Sequence, residues 1–488
     1  VTSSLNLIAD PWIPVRDRSG QRHIIAPWQV ADREILAPDW PRPDLNIACI
    51  ELLIGLVRLA DPPRDADDWH DRQAPAADRL RERLEAFAPA FELLGDGARF
   101  MQELGGLEGE VRPPDTLFID SGGEGGALTV REGRYPDLDL PMAAMALYAM
   151  QTQAPSGGRG NLTSLRGGGP MTVLVEPAYG PGGLWPLVWA NVPDGQPATT
   201  GDLPWMRRTI PSDKGAIHTP QMGHPSEVFF GMPRRFRLVA QGGRVTGVIQ
   251  RPSGTRYVLW RHPLTPYYRQ KASDDPLPVR PRAGVFGYRH WLGIAAREKG
   301  PLRERPMMVE VWANRSGNQP ARLTVAGWAM ENMKARDYVL SQAPLIDLPE
   351  DQALLMAGMV EAAEALSVAL RGALTSVLAE GEAREAARED FYARTQTAFE
   401  ARLVGLGHVT PEETARGWLA DLRKAGLKVF EALALPGLAE RPVKDQREIV
   451  VAHAILSAAF AGHGKMGARA LDVLRLPLPE RKKKGEAA

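Results

Sequence analysis

DQALLMAGMVEAAEALSVALRGALTSV, residues 351–377, decides how the chain divides. Leu355, Met359, Ala362, Leu366, Ala369, Ala373 and Val377 step by threes and fours, the spacing of one apolar face on an α-helix. Three further stretches repeat the pattern: Phe391, Thr395, Phe399 and Leu403; Trp418, Leu422, Val429 and Leu433; Ile449, Ala452, Leu456 and Phe460. A helix with one apolar stripe must bury it against a neighbour. Four such helices in succession predict an up-down four-helix bundle over 349–488, with the stripes as its core and RKKKGEAA as a solvated end.

Outward from that segment, residues 1–348 read differently. Residues 42–61 form a strongly apolar helix candidate stopped by Pro62 and Pro63, because proline brings no backbone donor. Helices are also expected over 75–95 and 140–152. Residues 104–137 read as long loops around a short strand, TLFID. MTVLVEP, FRLVA, TGVIQ, RYVLWR and MMVEVWA read as short strands among many prolines. The sum is an α+β fold, a large mixed domain over 1–348 followed by the bundle, and not an alternating βαβ chain.

Composition narrows the function classes. The 488 residues suggest two or three domains, at roughly 150 residues each. Lys+Arg and Asp+Glu are both 59, so binding nucleic acid by bulk charge is excluded and any contact needs local basic clusters. Lysine is scarce, 11 against 48 arginines, a bias that GC-rich coding explains. The single cysteine, Cys49, excludes an intrachain disulfide framework or a zinc finger. The N-terminal residues show no signal-peptide pattern and no apolar run reaches the ~18 residues of a membrane span, so a cytoplasmic location without a membrane is expected.

Enzyme signatures are missing from the sequence: no G-x-S-x-G, H-E-x-x-H or G-x-x-x-x-G-K-[ST] occurs, and the nine histidines are scattered. No catalytic residue, metal site or cofactor is expected. Three segments stand out instead. QAPSGGRGNLTSLRGGGP places six glycines and two arginines, Arg159 and Arg166, between Pro155 and Pro170. Glycines let backbone amides approach a phosphate or a groove edge closely. The segment follows a helix and precedes a strand, the reverse of a dinucleotide fingerprint. RPSGTRYVLWRHPLTPYYRQK, 251–271, mixes basic and aromatic side chains, a pattern that suits nucleic acid; most of its rings read equally well as packing, which leaves Arg251 and Arg256 as the exposed candidates. VAGWAMENMKARDYVLSQAP, 325–344, offers Asn332, Lys334 and Arg336 as DNA contacts.

NLIADPWIPV, the glycine segment, YVLWRHPLTPYYR and GWAMENMKARDY, in that order before a helical bundle, resemble the large subunit of type I-E CRISPR Cascade, the CasA family. The resemblance spans nearly the whole chain. It implies a non-catalytic subunit, present in a single copy beside the crRNA and the other Cascade subunits. Such a subunit reads the PAM of double-stranded DNA through the minor groove, helps open the duplex for R-loop formation and recruits a helicase–nuclease. By position, the family's glycine loop falls on Gly157, Gly158, Arg159 and Gly160. Its basic finger falls on Arg251, with Arg256 as the alternative, and its amide wedge on Asn332. A residue that docks on the crRNA end falls on Phe118. Two positions depart from family patterns: Arg159 stands where one form has glycine, and Asn332 is shorter than the glutamine of some members. With one cysteine, the metal-binding cluster of some members is absent. The other readings are a stand-alone nucleic-acid hydrolase or transferase built on the glycine loop, and a scaffold subunit without DNA contact.

Overall fold

A computed structural model of the chain describes residues 4–121, 130–158, 160–180, 182–298, 300–317, 319–378 and 381–479. The chain divides into two compact units, Val1–Ala283 with Pro301–Leu345, and Gly284–Gly300 with Ile346–Ala488. The expected division between 348 and 349 differs in two ways. The chain crosses at Leu345/Ile346, and residues 284–300, read as part of the mixed domain, pack with the helices. There the Tyr288 ring stacks on Phe399 at 4.3 Å and its hydroxyl shares a 2.9 Å hydrogen bond with Thr395.

The first unit is α+β, as expected. Its central helix, Pro43–Ala60, buries every residue except Pro43 and Asn46. An all-round apolar helix needs cover on all sides, and Gly55 supplies room for one neighbour, since a Cβ there would lie 2.8 Å from Phe229 Cβ. The second expected helix is shorter, Ala77–Glu85. Pro89 accounts for the early end, because its ring would clash with the carbonyl of Glu85 four residues back. The third runs Leu140–Gln153, capped by the Asp139 carboxylate accepting from Met142 N.

Among the described residues, four small three-stranded sheets with antiparallel strand pairing complete the unit. Two of them matter for the site. In one, the hairpin Ala321–Glu331/Lys334–Pro344 pairs with Thr172–Pro177, the strand that leaves the glycine segment. In the other, the hairpin Arg235–Gln241/Arg244–Arg251 pairs with Val111–Arg112. Three expected strands are not strands. MMVEVWA lies in a helix, Met307–Ser316, which begins after Pro306, carries Glu310 in its first turn and stops at left-handed Gly317. These end signals outweigh the β-branched residues. TLFID enters a 3-10 turn, Pro114–Leu117, set by Pro113 and Pro114. RYVLWR contributes only an isolated bridge at Tyr257.

The second unit holds the four expected helices, Glu350–Ala373, Glu382–Val404, Pro411–Ala434 and Val443–Phe460, and a fifth, Gly464–Val473, that the sequence reading did not separate. The fifth lies against the first, with Gly358 so close that a Cβ would sit 2.3 Å from the Val473 carbonyl oxygen. Leu366, Phe391, Phe399, Trp418, Leu422, Val429, Ile449 and Leu456 are buried as expected. On the first helix the face is turned slightly: Met356, Met359, Ala363, Leu366 and Leu370 are buried, and Leu355 and Ala369 are half-buried. Two segments, Glu350–Ser376 and Val443–Val473, are long and apolar enough to cross a membrane by length and composition alone; both belong to the helical unit, and the second covers two of its helices.

Candidate nucleic-acid interface

The glycine segment begins as the helix Leu140–Gln153 ends, and its two ends are drawn together. Ser164 N donates to Ala154 O at 3.1 Å, Gly169 N donates to Gln153 O at 3.2 Å, and Gly168 lies against Pro155. Between them Gly157–Asn161 closes a tight turn. Gly157 N donates to Asn161 O at 3.1 Å, and Asn161 N donates to Gly158 O at 2.8 Å. Gly158 and Gly160 sit at φ +70° and +77°, a left-handed backbone that glycine adopts without steric cost. Arg159 lies outside the described residues.

This turn is fastened to the turn that follows Arg251. Ser253 N donates to Gly160 O at 2.8 Å, Gln250 Nε2 donates to Asn161 Oδ1 at 3.1 Å, and a Cβ on Gly160 would lie 2.9 Å from Pro252 Cβ. Arg251 is exposed at the end of its strand, with its stem against Gly109, and makes no ion pair among the described residues. Arg256 is also exposed, five residues on. Two of the expected elements, the glycine turn and the basic finger, therefore form one continuous surface.

Asn332 occupies the tip of the third. With Met333 it forms the two-residue connection of the hairpin, both residues left-handed at φ +48° and +65° and both exposed. That is the primed turn that matches strand twist. The body of the hairpin packs on the far end of the glycine segment: a Cβ on Gly169 would lie 2.7 Å from Trp328 O and 2.8 Å from Met330 Cγ. Asn332 stands two residues beyond Met330, roughly 7 Å of extended chain. Arg336, expected as a DNA contact, donates to Glu331 Oε2 at 2.9 Å across the hairpin, so its charge is offset there. Lys334 is the register partner of Glu331.

The second arginine of the glycine segment does something else. Arg166 is 2% exposed and donates to both oxygens of Glu51, at 2.6 and 2.8 Å, and to Thr172 and Thr265. Arg166 therefore adds no charge to the loop surface: its charge is spent inside, on a carboxylate in the central helix. Burial alone would raise the Glu51 carboxyl, but the Arg166 charge and the adjacent His262 outweigh it and hold it at about 2. Burial, reinforced by Arg166, pushes the His262 ring down to about 4, so it is neutral, its Nδ1 accepting from Leu264 N at 3.2 Å.

Phe118, expected at the crRNA-facing end, is 2% exposed. Its ring stacks on Tyr135 at 4.6 Å and carries the Arg42 guanidinium at 4.9 Å. The ring has no free face, and residues 122–129, four positions on, lie outside the described residues.

Sequence reasoning missed Arg234 and Arg280. Arg234 is buried beneath the glycine turn and donates to the Leu162 and Pro155 carbonyls. Burial lowers its pKa to about 10, which leaves it cationic near neutrality. Arg280 is exposed beside Gly167. Neither has a nearby motif to flag it. Under the finger, Glu227 accepts from Arg207 and from Tyr257 and faces His218 Nε2 at 3.0 Å. This resembles an acid–base cluster, but the His218 and Glu227 side chains are 1% and 0% exposed, sealed from any substrate. Trp260 stacks on His218 and Tyr267 lies under Arg261, so these rings pack the protein. Among the described residues no group of three or more His, Cys, Asp or Glu could hold a metal ion.

The family model for the CRISPR-associated protein Cse1 matches residues 6–429. The chain belongs to the Cse1 family. Solved structures share the fold at low identity. CasA of Thermus thermophilus is 19% identical with a TM-score of 0.70, over 93% of this chain and 100% of that one. Cse1 of Thermobifida fusca is 18% identical at 0.70, over 96% and 98%. A chain of a CRISPR RNA-guided surveillance complex is 16% identical at 0.70, over 93% and 99%. The resemblance to the CasA large subunit of type I-E Cascade, read from the motifs, is thereby borne out.

Proposed function

We propose that this Cse1 reads the PAM of double-stranded target DNA from the minor groove within a crRNA-guided Cascade complex in the cytoplasm. It helps open the first base pairs for R-loop formation and recruits the helicase–nuclease, and it performs no catalytic step itself. The observation that carries the reading is the 2.8 Å hydrogen bond from Ser253 N to Gly160 O, which joins a glycine-rich turn to Arg251, an arginine with no ion pair among the described residues, on one exposed surface. Minor-groove readout needs that pairing: a backbone thin enough to reach the floor and a cation for the adjacent phosphates. Few contacts suffice, because base pairing to the guide reads the sequence, which agrees with a net charge of zero. Gly157, Gly158 and Gly160 are assigned to the groove edge, with Arg159 between them in sequence. Arg251 is assigned to the phosphates, with Lys334, Arg336 and Arg280 as further cations. Asn332, at an exposed tip, is assigned to the base step under the PAM. Phe118 is assigned to the crRNA-facing end, where its packing against Tyr135 and Arg42 makes it a support for that surface.

The test uses the assembled complex. Arg251→Ala and Asn332→Ala are expected to weaken PAM-duplex binding by about tenfold each, the scale of one good contact, with assembly intact. Gel shifts in which both variants keep the parent's PAM dependence overturn the assignment. Arg159→Gly is expected to change the set of PAMs recovered from a randomised library, and an identical profile refutes that part.

A further inference from the structure

Arg234 follows Pro233 at the start of the strand Arg235–Gln241, far in sequence from the glycine turn, yet its guanidinium is devoted to that turn. It is 6% exposed. No carboxylate among the described residues pairs with it, whereas the other deeply buried arginine of this region, Arg166, has Glu51. A buried cation without a counter-ion is costly unless its donors are all used. Here each of the three nitrogens has a partner, and two of them are on the glycine segment: Nε donates to Leu162 O at 3.0 Å and Nη2 donates to Pro155 O. Nη1 lies 3.4 Å from Met150 Sδ. The two carbonyls bracket residues 156–161, so one planar fork spans the mouth of the turn. Gly157 lies directly over it, since a Cβ there would sit 3.1 Å from Nη2. The backbone of Arg234 is fixed in turn by Gln151, whose amide accepts from Arg234 N at 3.2 Å and donates to Arg234 O at 2.9 Å.

We propose that Arg234 is a positioning residue for PAM readout: its fork sets the separation of Pro155 and Leu162 and thereby the shape the Gly157–Gly160 turn presents to the groove. The inference rests on the proposed DNA-reading role of that turn. It touches no DNA and acts through the two carbonyls. A guanidinium is needed because two acceptors must be met at once from a fixed plane, which a lysine ammonium on a flexible stem does not reproduce.

The decisive variant is Arg234→Lys, which keeps the charge and loses the fork; Arg234→Met removes both. In the assembled complex, Arg234→Lys is expected to bind its best PAM duplex about tenfold less tightly, the loss of one hydrogen bond from a charged donor. Its library profile should broaden, while binding to duplex without a PAM is unchanged. Hydrogen exchange on the full chain should speed up at the Gly157 and Asn161 amides and not in the bundle helices. A general loss of stability would accelerate exchange everywhere in the unit and leave the PAM profile alone. Parent-like exchange at 157–161, or a parent-like PAM profile while Arg251→Ala loses binding, overturns the role of Arg234. If Arg251→Ala and Asn332→Ala also bind as the parent does, the DNA-reading assignment is what fails, and the exchange result still reports whether the fork shapes the turn.

Discussion

Replacing Arg166 with alanine separates an arginine spent on the core from Arg251, which faces the proposed DNA surface. The Arg166 and Glu51 side chains are 1% and 0% exposed, and the guanidinium donates to the carboxylate at 2.6 and 2.8 Å. Without it, Glu51 remains in the middle of the Pro43–Ala60 helix, faced by the neutral His262 ring at 3.5 Å. Breaking one side of a buried pair costs about 3–5 kcal/mol, and the Thr172 and Thr265 hydroxyls lose a donor as well. For a unit of this size the expected fall in Tm is roughly 5–10 °C, followed by circular dichroism on the full chain. Arg166→Met combined with Glu51→Met should recover part of the loss, because removing both charges leaves no orphan. Arg251→Ala is the counterpart: an exposed cation without a structural partner, whose removal shifts stability by no more than about 0.5 kcal/mol while weakening duplex binding. An Arg166→Ala protein that melts with the parent and loses PAM-duplex binding would refute this division of labour.

Gly158 and Gly160 give a second contrast, since both are left-handed but only Gly160 is crowded, against Pro252 and Ser253. Gly158→Ala is expected to cost the backbone term alone, about 1 kcal/mol, whereas Gly160→Ala should add displacement of the finger turn and a larger loss in gel shifts. His262 sets a pH dependence: its ring is lowered from 6.5 to about 4 by burial and Arg166, so the unfolded chain takes up the proton first on acidification. Its contribution is complete above pH 6.5 and is lost as pH falls toward 4, up to about 3 kcal/mol in urea titrations, and His262→Gln should flatten that part of the curve. In the bundle, Thr410 caps Pro411–Ala434 reciprocally with Glu413, and Thr410→Ala should destabilise by about 1 kcal/mol in thermal melts, with DNA binding by the complex unchanged.

Local rules carried the reading where a segment's partner is solvent or its own neighbours. The helix Pro43–Ala60 ends where Pro62 and Pro63 demand, and the bundle stripes are buried because a 3.6-residue period leaves them one side to hide. The same rules, applied fully, would have found the helix Met307–Ser316 from Pro306, Glu310 and Gly317. They could not have placed residues 284–300, whose aromatic run packs on Phe399, Tyr392 and Trp418 far along the chain.

The sequence by itself determined the α+β class, the run of helices at the C-terminus and the glycine turn, because periodicity, proline and glycine act through the local backbone. Tertiary structure alone decided which cations face outward. Arg159 and Arg166 look alike in the glycine segment, but Glu51, 115 residues earlier, draws Arg166 into the core. Arg234 carries no motif and yet holds the turn through two carbonyls that the fold delivers to it. A charge is spent or free according to what lies within a few ångströms of it, and the local sequence does not record those distances.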